Sequence, residues 1–195
     1  MKSMHDGIAI GTTLGILAGG RGTRLGGVDK AWLQRDGIPQ VVRIARRFVA
    51  EVDATLVSAN RDLERHAHHG LVAIADTVPD AGPIGGLHAL AHACLTRWLL
   101  TVPVDLVGVN ECLLQTLRAH ADGQGAFAVD DDGPQPLVAL WRIQSLRGAT
   151  SSAMAAGEYS VQGLQQVLGM YPVRFTGVRF GNLNTPSDLL AAGLE

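Results

Sequence analysis

The chain has 195 residues, 47% hydrophobic and 17% charged, with a formal net charge of −2 at pH 7. That size and balance allow a proper core and exclude a disordered chain, and the slight acidity excludes broad nucleic-acid binding, which needs a basic face. No apolar run reaches membrane-spanning length, and His5 and Asp6 precede the first apolar stretch without a signal-peptide layout, so a cytoplasmic protein with no membrane partner is expected.

Strand-like and helix-like runs alternate along the chain. Residues 12–17 read as a strand, followed by a glycine-rich stretch. Ile38, Val41, Val42, Ala45, Phe48 and Val49 then recur at helical spacing with Arg43, Arg46 and Arg47 off that face, and Pro39 suits the first turn. Residues 54–58 predict a second strand, 61–69 a short polar helix and 71–74 a third strand. Asp80-Ala81-Gly82-Pro83-Ile84-Gly85-Gly86 reads as a second glycine-rich turn, opening a helix from Leu87 to Cys94. Residues 98–102 predict a buried strand, 110–120 a helix and 126–129 a strand. Asp130-Asp131-Asp132-Gly133-Pro134 reads as an exposed turn before a strand at 137–141. Helical stretches follow at 145–156 and 161–168, then a strand at 173–175. Thr185, Pro186 and Asp188 form a capping-box pattern at the start of a last helix.

This order predicts an α/β fold, a mostly parallel sheet with helices on both faces. Ligands of such sheets bind at the carboxyl ends of the strands. The glycine-rich stretch, Asn60, Asp76 and Asp105 all follow strand candidates and are expected to converge on one edge. Cys94 and Cys112 both sit in apolar helix-like segments and read as reduced, buried thiols.

The segment Leu17-Ala18-Gly19-Gly20-Arg21-Gly22-Thr23-Arg24-Leu25-Gly26-Gly27-Val28-Asp29-Lys30 carries the strongest chemical signal. Five glycines let backbone N–H groups turn toward an anion, and Arg21, Arg24 and Lys30 add mobile positive charge. That combination suits a polyphosphate. Neither the dinucleotide fingerprint nor the P-loop fits: Leu25 stands where the first needs glycine, and Val28 where the second needs lysine. Asp105 ends an apolar strand, where a carboxylate can hold Mg²⁺ or cap the next helix. Asp29 can equally orient Lys30 or cap a turn. Asn60 taken alone is an ordinary turn residue.

The pattern L-A-G-G-x-x-x-R-L-G-G-x-D-K resembles the signature loop of nucleotidyltransferases, most closely the molybdenum cofactor guanylyltransferases. Further segments resemble that family in its own order: Val102-Pro103-Val104-Asp105, Gly82-Pro83-Ile84-Gly85-Gly86-Leu87, Gln135-Pro136-Leu137-Val138-Ala139-Leu140-Trp141 and Asn182-Leu183-Asn184-Thr185-Pro186. The resemblance implies a Rossmann-like three-layer α/β/α nucleotidyltransferase fold, with residues 1–195 as one domain. It implies transfer of GMP from MgGTP to molybdopterin or its molybdenum form. Lys30 and Arg24 would act on the phosphates and Asp105 on Mg²⁺. Leu17, Ala18, Gly19, Gly20, Asn60 and Asp76 would bind the nucleotide, with Asp76 suited to the guanine edge. Gly82, Pro83, Asn182 and Asn184 would face the pterin. Other cofactor-biosynthesis or acceptor proteins are conceivable partners, and a monomer or weak homo-oligomer is expected. Family members carry a proline two residues after this aspartate, whereas here Val107 stands there. A related cytidylyl- or sugar-nucleotidyltransferase and an inactive nucleotide-binding regulator are the alternatives. No hexapeptide repeat follows, which weighs against the sugar-nucleotide reading, and retention of Lys30 and Asp105 weighs against the regulator. His66, His68 and His69, and the pair His88 and His92, lack the spacing of a zinc site.

Overall fold

Alternation along the strands decides which side chains meet which helices. The computed structural model describes residues 9–19, 28–78, 81–109, 111–183 and 185–194. In chain order these form β1 (Ala9–Leu17), a 3₁₀ turn (Lys30–Trp32), β2 (Gln34–Arg35), β3 (Ile38–Pro39), α1 (Gln40–Phe48), β4 (Ala54–Ser58), α2 (Leu63–His68), β5 (Val72–Ile74) and α3 (Gly82–Ala93). Then come β6 (Thr96–Pro103), β7 (Leu106–Val107), α4 (Leu113–His120), β8 (Gly125–Asp130), β9 (Gly133–Arg142), α5 (Ile143–Ala156), α6 (Val161–Leu168), β10 (Tyr171–Arg174), β11 (Gly181–Asn182) and α7 (Pro186–Ala192).

Seven of these strands form one sheet in the order β10-β8-β9-β6-β1-β4-β5. Strands β5, β4, β1 and β6 run parallel, as does the β10–β8 pair, and only β9 is antiparallel to its neighbours. Leu14 and Ile16 of β1 and Leu100 and Val102 of β6 face a core closed by α1 and α4 through Val41, Ile44, Phe48, Leu113 and Leu117. Leu99 of β6 points to the opposite face, with Ala139 and Trp141 of β9, where α3, α5 and α6 bring Leu87, Leu146 and Leu164. The mostly parallel sheet with helices on both faces is therefore as the sequence predicts.

Four local expectations need correction. Ile38 and Pro39 are not helical: they pair with Arg35 and Gln34 as the ribbon β2–β3. A residue before proline is pushed to extended backbone, and Asp36 and Gly37, at φ 54° and 72°, turn the chain ahead of it. The segment at residues 82–86 is no separate turn, because α3 begins at Gly82 with Pro83 in its first turn. Asp130 is fully buried rather than part of an exposed turn, and Cys112 is exposed, while Cys94 is buried as expected. The predicted cap of the last helix holds: Thr185 Oγ1 accepts from Asp188 N–H at 3.2 Å and Asp188 Oδ2 from Thr185 N–H at 2.7 Å. No helix among the described residues is long and apolar enough to cross a membrane.

Candidate active site

From β1 the chain steps outward through β4 to β5, then returns to add β6 on the other side of β1. The strand order thus reverses between β1 and β6, and the crevice beyond their carboxyl ends is where an open α/β sheet binds ligand. Leu17 ends β1, and its carbonyl accepts from Val104 N–H at 2.9 Å, tying the two loops together. The Lys30 turn comes back to this point. Lys30 Nζ donates to Asp105 Oδ2 at 2.7 Å across a separation of 75 residues. Their side chains are only 19% and 22% exposed, so the ion pair is partly desolvated. Asp29 caps the turn, its Oδ1 accepting from Ala31 N–H at 2.9 Å, which settles its geometry as the cap.

Beside this pair lies a second polar group. Ala18 N–H donates to the Ser58 carbonyl at 2.8 Å, holding the start of the glycine-rich stretch against β4. Asn60 Oδ1 accepts from Asp76 N–H at 2.8 Å, and its Nδ2 donates to Asp76 Oδ2 at 2.9 Å. Ser58 Oγ donates to Asp76 Oδ1 at 3.2 Å. Asp76 is thereby oriented by two side chains, and each carboxylate oxygen retains a further lone pair for a ligand donor. The sequence pattern does not single out Ser58; its place at the end of a strand is the one signal it carries. A Cβ on Gly19 would lie 3.5 Å from Asn60 Nδ2 and 3.9 Å from Asp76 Oδ2, so the loop and this carboxylate share one corner.

Close packing fixes that corner from below. A Cβ on Gly86 would come within 2.6 Å of Ser58 Oγ and 2.9 Å of Leu17 Cδ2, and one on Gly85 within 3.3 Å of Asp76 Oδ2. The small residues of α3 let the helix press against the strand ends. Gly82, at φ +57°, and Pro83 are exposed at its first turn.

The segment near residue 182 also reaches the site. Leu183 N–H donates to the Asp105 carbonyl at 3.2 Å, and β11 pairs with β7, Gly181 opposite Val107 and Asn182 opposite Leu106. This ladder, with Gln40 Nε2 donating to the Leu106 carbonyl at 3.1 Å, braces the turn in the place of the family's proline. Asp130 anchors the approach to β11. Its carboxylate accepts from the N–H groups of Phe180 at 2.7 Å, Asp132 at 2.9 Å and Gly133 at 3.0 Å, and from Gln135 Nε2 at 3.2 Å. Burial alone would raise its pKa, but the donors at Phe180, Gln135, Asp132 and Gly133 outweigh that and hold it below the ordinary carboxylate range.

Lys30, Asp105, Asn60, Asp76, Leu17, Ala18 and Gly19 are therefore gathered at one sheet edge, with the backbone of Asn182 adjoining. Gly20, Arg21, Arg24 and the rest of 20–27 lie outside the described residues, as do Asp80, Asn110 and Asn184. A cavity of about 520 Å³ lies elsewhere, between α1, β7 and α7, with Arg35, Arg43 and Arg47 in its wall. Its lining includes neither Lys30 nor Asp105, and the hydrogen-bonded groups at the strand ends locate the site better than that volume does. An edge that offers an ammonium, a strand-end carboxylate and an oriented second carboxylate can bind a nucleoside polyphosphate with its counter-cation.

Comparison with known proteins follows the same lines. The model of a family described as the MobA-like NTP transferase domain matches residues 14–172. The chain is 35% identical over 180 residues to molybdenum cofactor guanylyltransferase of Serratia proteamaculans, covering 90% of both chains. It is 30% identical over 184 residues to molybdenum cofactor guanylyltransferase of Cupriavidus necator, covering 89% of this chain and 92% of the relative. The crystal structure of molybdopterin-guanine dinucleotide biosynthesis protein A from Archaeoglobus fulgidus matches with a TM-score of 0.70 at 20% identity, over 93% of this chain and 96% of that one, a likeness of fold.

Proposed function

This chain belongs to the MobA-like NTP transferase family, and from that premise we propose that it transfers GMP from GTP to molybdopterin, forming the guanine dinucleotide cofactor and pyrophosphate. The observation that carries the reading is the meeting of Lys30 with Asp105 at the switch point of the sheet. A lysine ending a glycine-rich stretch and a carboxylate ending a buried strand are what a triphosphate and its cation need.

The acceptor's terminal phosphate is the nucleophile. One of its oxygens forms a bond to the α-phosphorus of GTP as the bond from that phosphorus to the bridging oxygen breaks, and pyrophosphate leaves with the electron pair. The attacking oxygen is already anionic, so no general base is required. The barrier is the approach of two anions, and catalysis is mostly positioning and electrostatics. Lys30 stabilises charge on the phosphates, and Asp76, held by Asn60 and Ser58, accepts hydrogen bonds from the guanine edge. Asp105 fits Mg²⁺: it supplies a hard oxygen ligand, and its Oδ1 has no hydrogen-bond partner among the described residues. When bound there, the ion neutralises triphosphate charge and acts as a Lewis acid. Lys30 donates to the other oxygen of that carboxylate. Asn182, on the strand beside this turn, is assigned to the pterin side together with Asn184, and Gly82 and Pro83 to its rim.

Two measurements test this reading. Titration calorimetry with Mg²⁺ is expected to show GTP binding more tightly than CTP or ATP, and a CTP preference would move the assignment to cytidylyl transfer. Asp105→Ala is expected to slow transfer by at least about 10²-fold while remaining folded, and near-normal turnover in a stable variant would remove the carboxylate from the chemistry.

A further inference from the structure

Buried polar atoms without partners are rare in folded proteins. Trp32 and His66 place three of them together: the indole Nε1 and both imidazole nitrogens are buried and make no hydrogen bond among the described residues. The two rings lie 4.6 Å apart between centroids at an interplanar angle of 43°. His69 stands 5.6 Å from the same indole, and the Arg65 guanidinium carbon lies 4.1 Å above it. One end of α2 thus wraps a single tryptophan.

The helix partner of this contact is not secured by its own local structure. Helix α2 has six residues and starts from Asp62, which sits in the left-handed region at φ 53° and gives no side-chain cap. So short a helix is not self-supporting and depends on tertiary packing. Trp32 ends the 3₁₀ turn that begins at Lys30. Trp32 N–H donates to the Asp29 carbonyl at 3.0 Å, and the Leu33 carbonyl accepts from Gln40 N–H at 2.8 Å. The turn that carries Lys30 is therefore pinned at one end by the Asp29 cap and at the other by the Leu33–Gln40 hydrogen bond together with the packing of the indole. Burial lowers the pKa of His66 and outweighs the attraction of Asp29 and Asp62, with the like charges of His69 and Arg65 acting in the same direction as burial.

We propose that the Trp32–His66 ring contact is a positioning pair for Lys30, helping to fix the turn from which the ammonium serves the triphosphate and so strengthening nucleotide binding without touching the ligand. The proposal rests on the assignment of Lys30 to the phosphates made above. The contact keeps the turn in one arrangement, so the entropy of ordering it is lost on folding rather than on binding.

A double-mutant cycle tests this, read by titration calorimetry with MgGTP and by the melting temperature of every variant. Trp32→Leu and His66→Ala are each expected to weaken GTP binding about tenfold when Lys30 is present and less than about twofold in the Lys30→Ala background, because removal of the positioned group removes the coupling. His66→Phe keeps a ring on the indole and is expected to bind GTP within about threefold of the parent, an effect below 1 kcal/mol. If Trp32→Leu fails to fold, the His66 cycle decides alone. Equal fold-losses in both backgrounds, or none in either while Lys30→Ala weakens binding, would overturn the positioning role. If Lys30→Ala leaves GTP affinity intact, the assignment of Lys30 to the phosphates falls, and the proposal with it.

Discussion

Replacing Asp130 by asparagine strikes at the support of β11. In the native chain Oδ1 receives the Asp132 and Gly133 N–H groups, and Oδ2 receives Phe180 N–H and Gln135 Nε2. An asparagine presents one oxygen and one NH₂. If the oxygen keeps the two turn amides, the NH₂ faces Phe180 N–H, donor against donor in a fully buried place. Gln135 can reverse its own amide and recover one hydrogen bond, but Phe180 cannot. One stranded buried N–H and the loss of charge from the remaining bonds together cost about 2–4 kcal/mol. Urea unfolding at pH 7 measures it. The pH dependence supplies a sign. The folded pKa of Asp130 lies below its unfolded value near 3.8, so its contribution is complete above that value and is lost as pH falls through the folded pKa. The gap between parent and Asp130→Asn is therefore expected to narrow under acid, and only there. A loss below about 0.5 kcal/mol at pH 7, the ordinary range of surface changes, would refute the account of this carboxylate as the anchor of β11.

Other perturbations address the remaining supports of the site. Gly86→Ala places a methyl against Ser58 and Leu17, so it is expected to cost about 1–3 kcal/mol in stability and to weaken GTP binding through Asp76, read by thermal shift and calorimetry. Asn182→Ala is expected to weaken molybdopterin binding while leaving GTP affinity within about threefold, and equal effects on both ligands would mark it as a structural residue. The folded pKa of His66 lies below the ordinary 6.5, so the stability associated with its burial is present above 6.5 and lost as pH falls below it. His66→Phe is accordingly expected to flatten the fall in melting temperature between about pH 6.5 and 5.

Much of this arrangement is legible in the chain because parallel α/β folds bring strand ends together. Asn60, Asp76 and Asp105 could be placed on one edge from their positions after apolar runs, and Thr185 and Asp188 from a local capping pattern. Interactions between distant segments were not legible in the same way. Asp130 stands in a run of acidic residues beside a glycine, which locally spells an exposed turn, yet Phe180, 50 residues later, brings it a backbone donor in the interior. The Trp32–His66 ring contact joins a turn to a helix with no spacing signal between them. The apolar character of Ile38 and Pro39 fits the helical face, while the backbone restriction before proline and the turn at Asp36–Gly37 favour a ribbon. The apolar neighbourhood of Cys112 predicts burial, but the described helix starts only at Leu113 and the thiol is exposed.

The most direct test offers the protein molybdopterin and Mg²⁺ with GTP and CTP at equal concentration, and weighs the product by mass spectrometry. The account predicts the guanine dinucleotide of molybdopterin, with one pyrophosphate released for each GMP transferred. A cytosine dinucleotide as the main product, or consumption of neither nucleotide by an enzyme shown to bind both substrates, would contradict it.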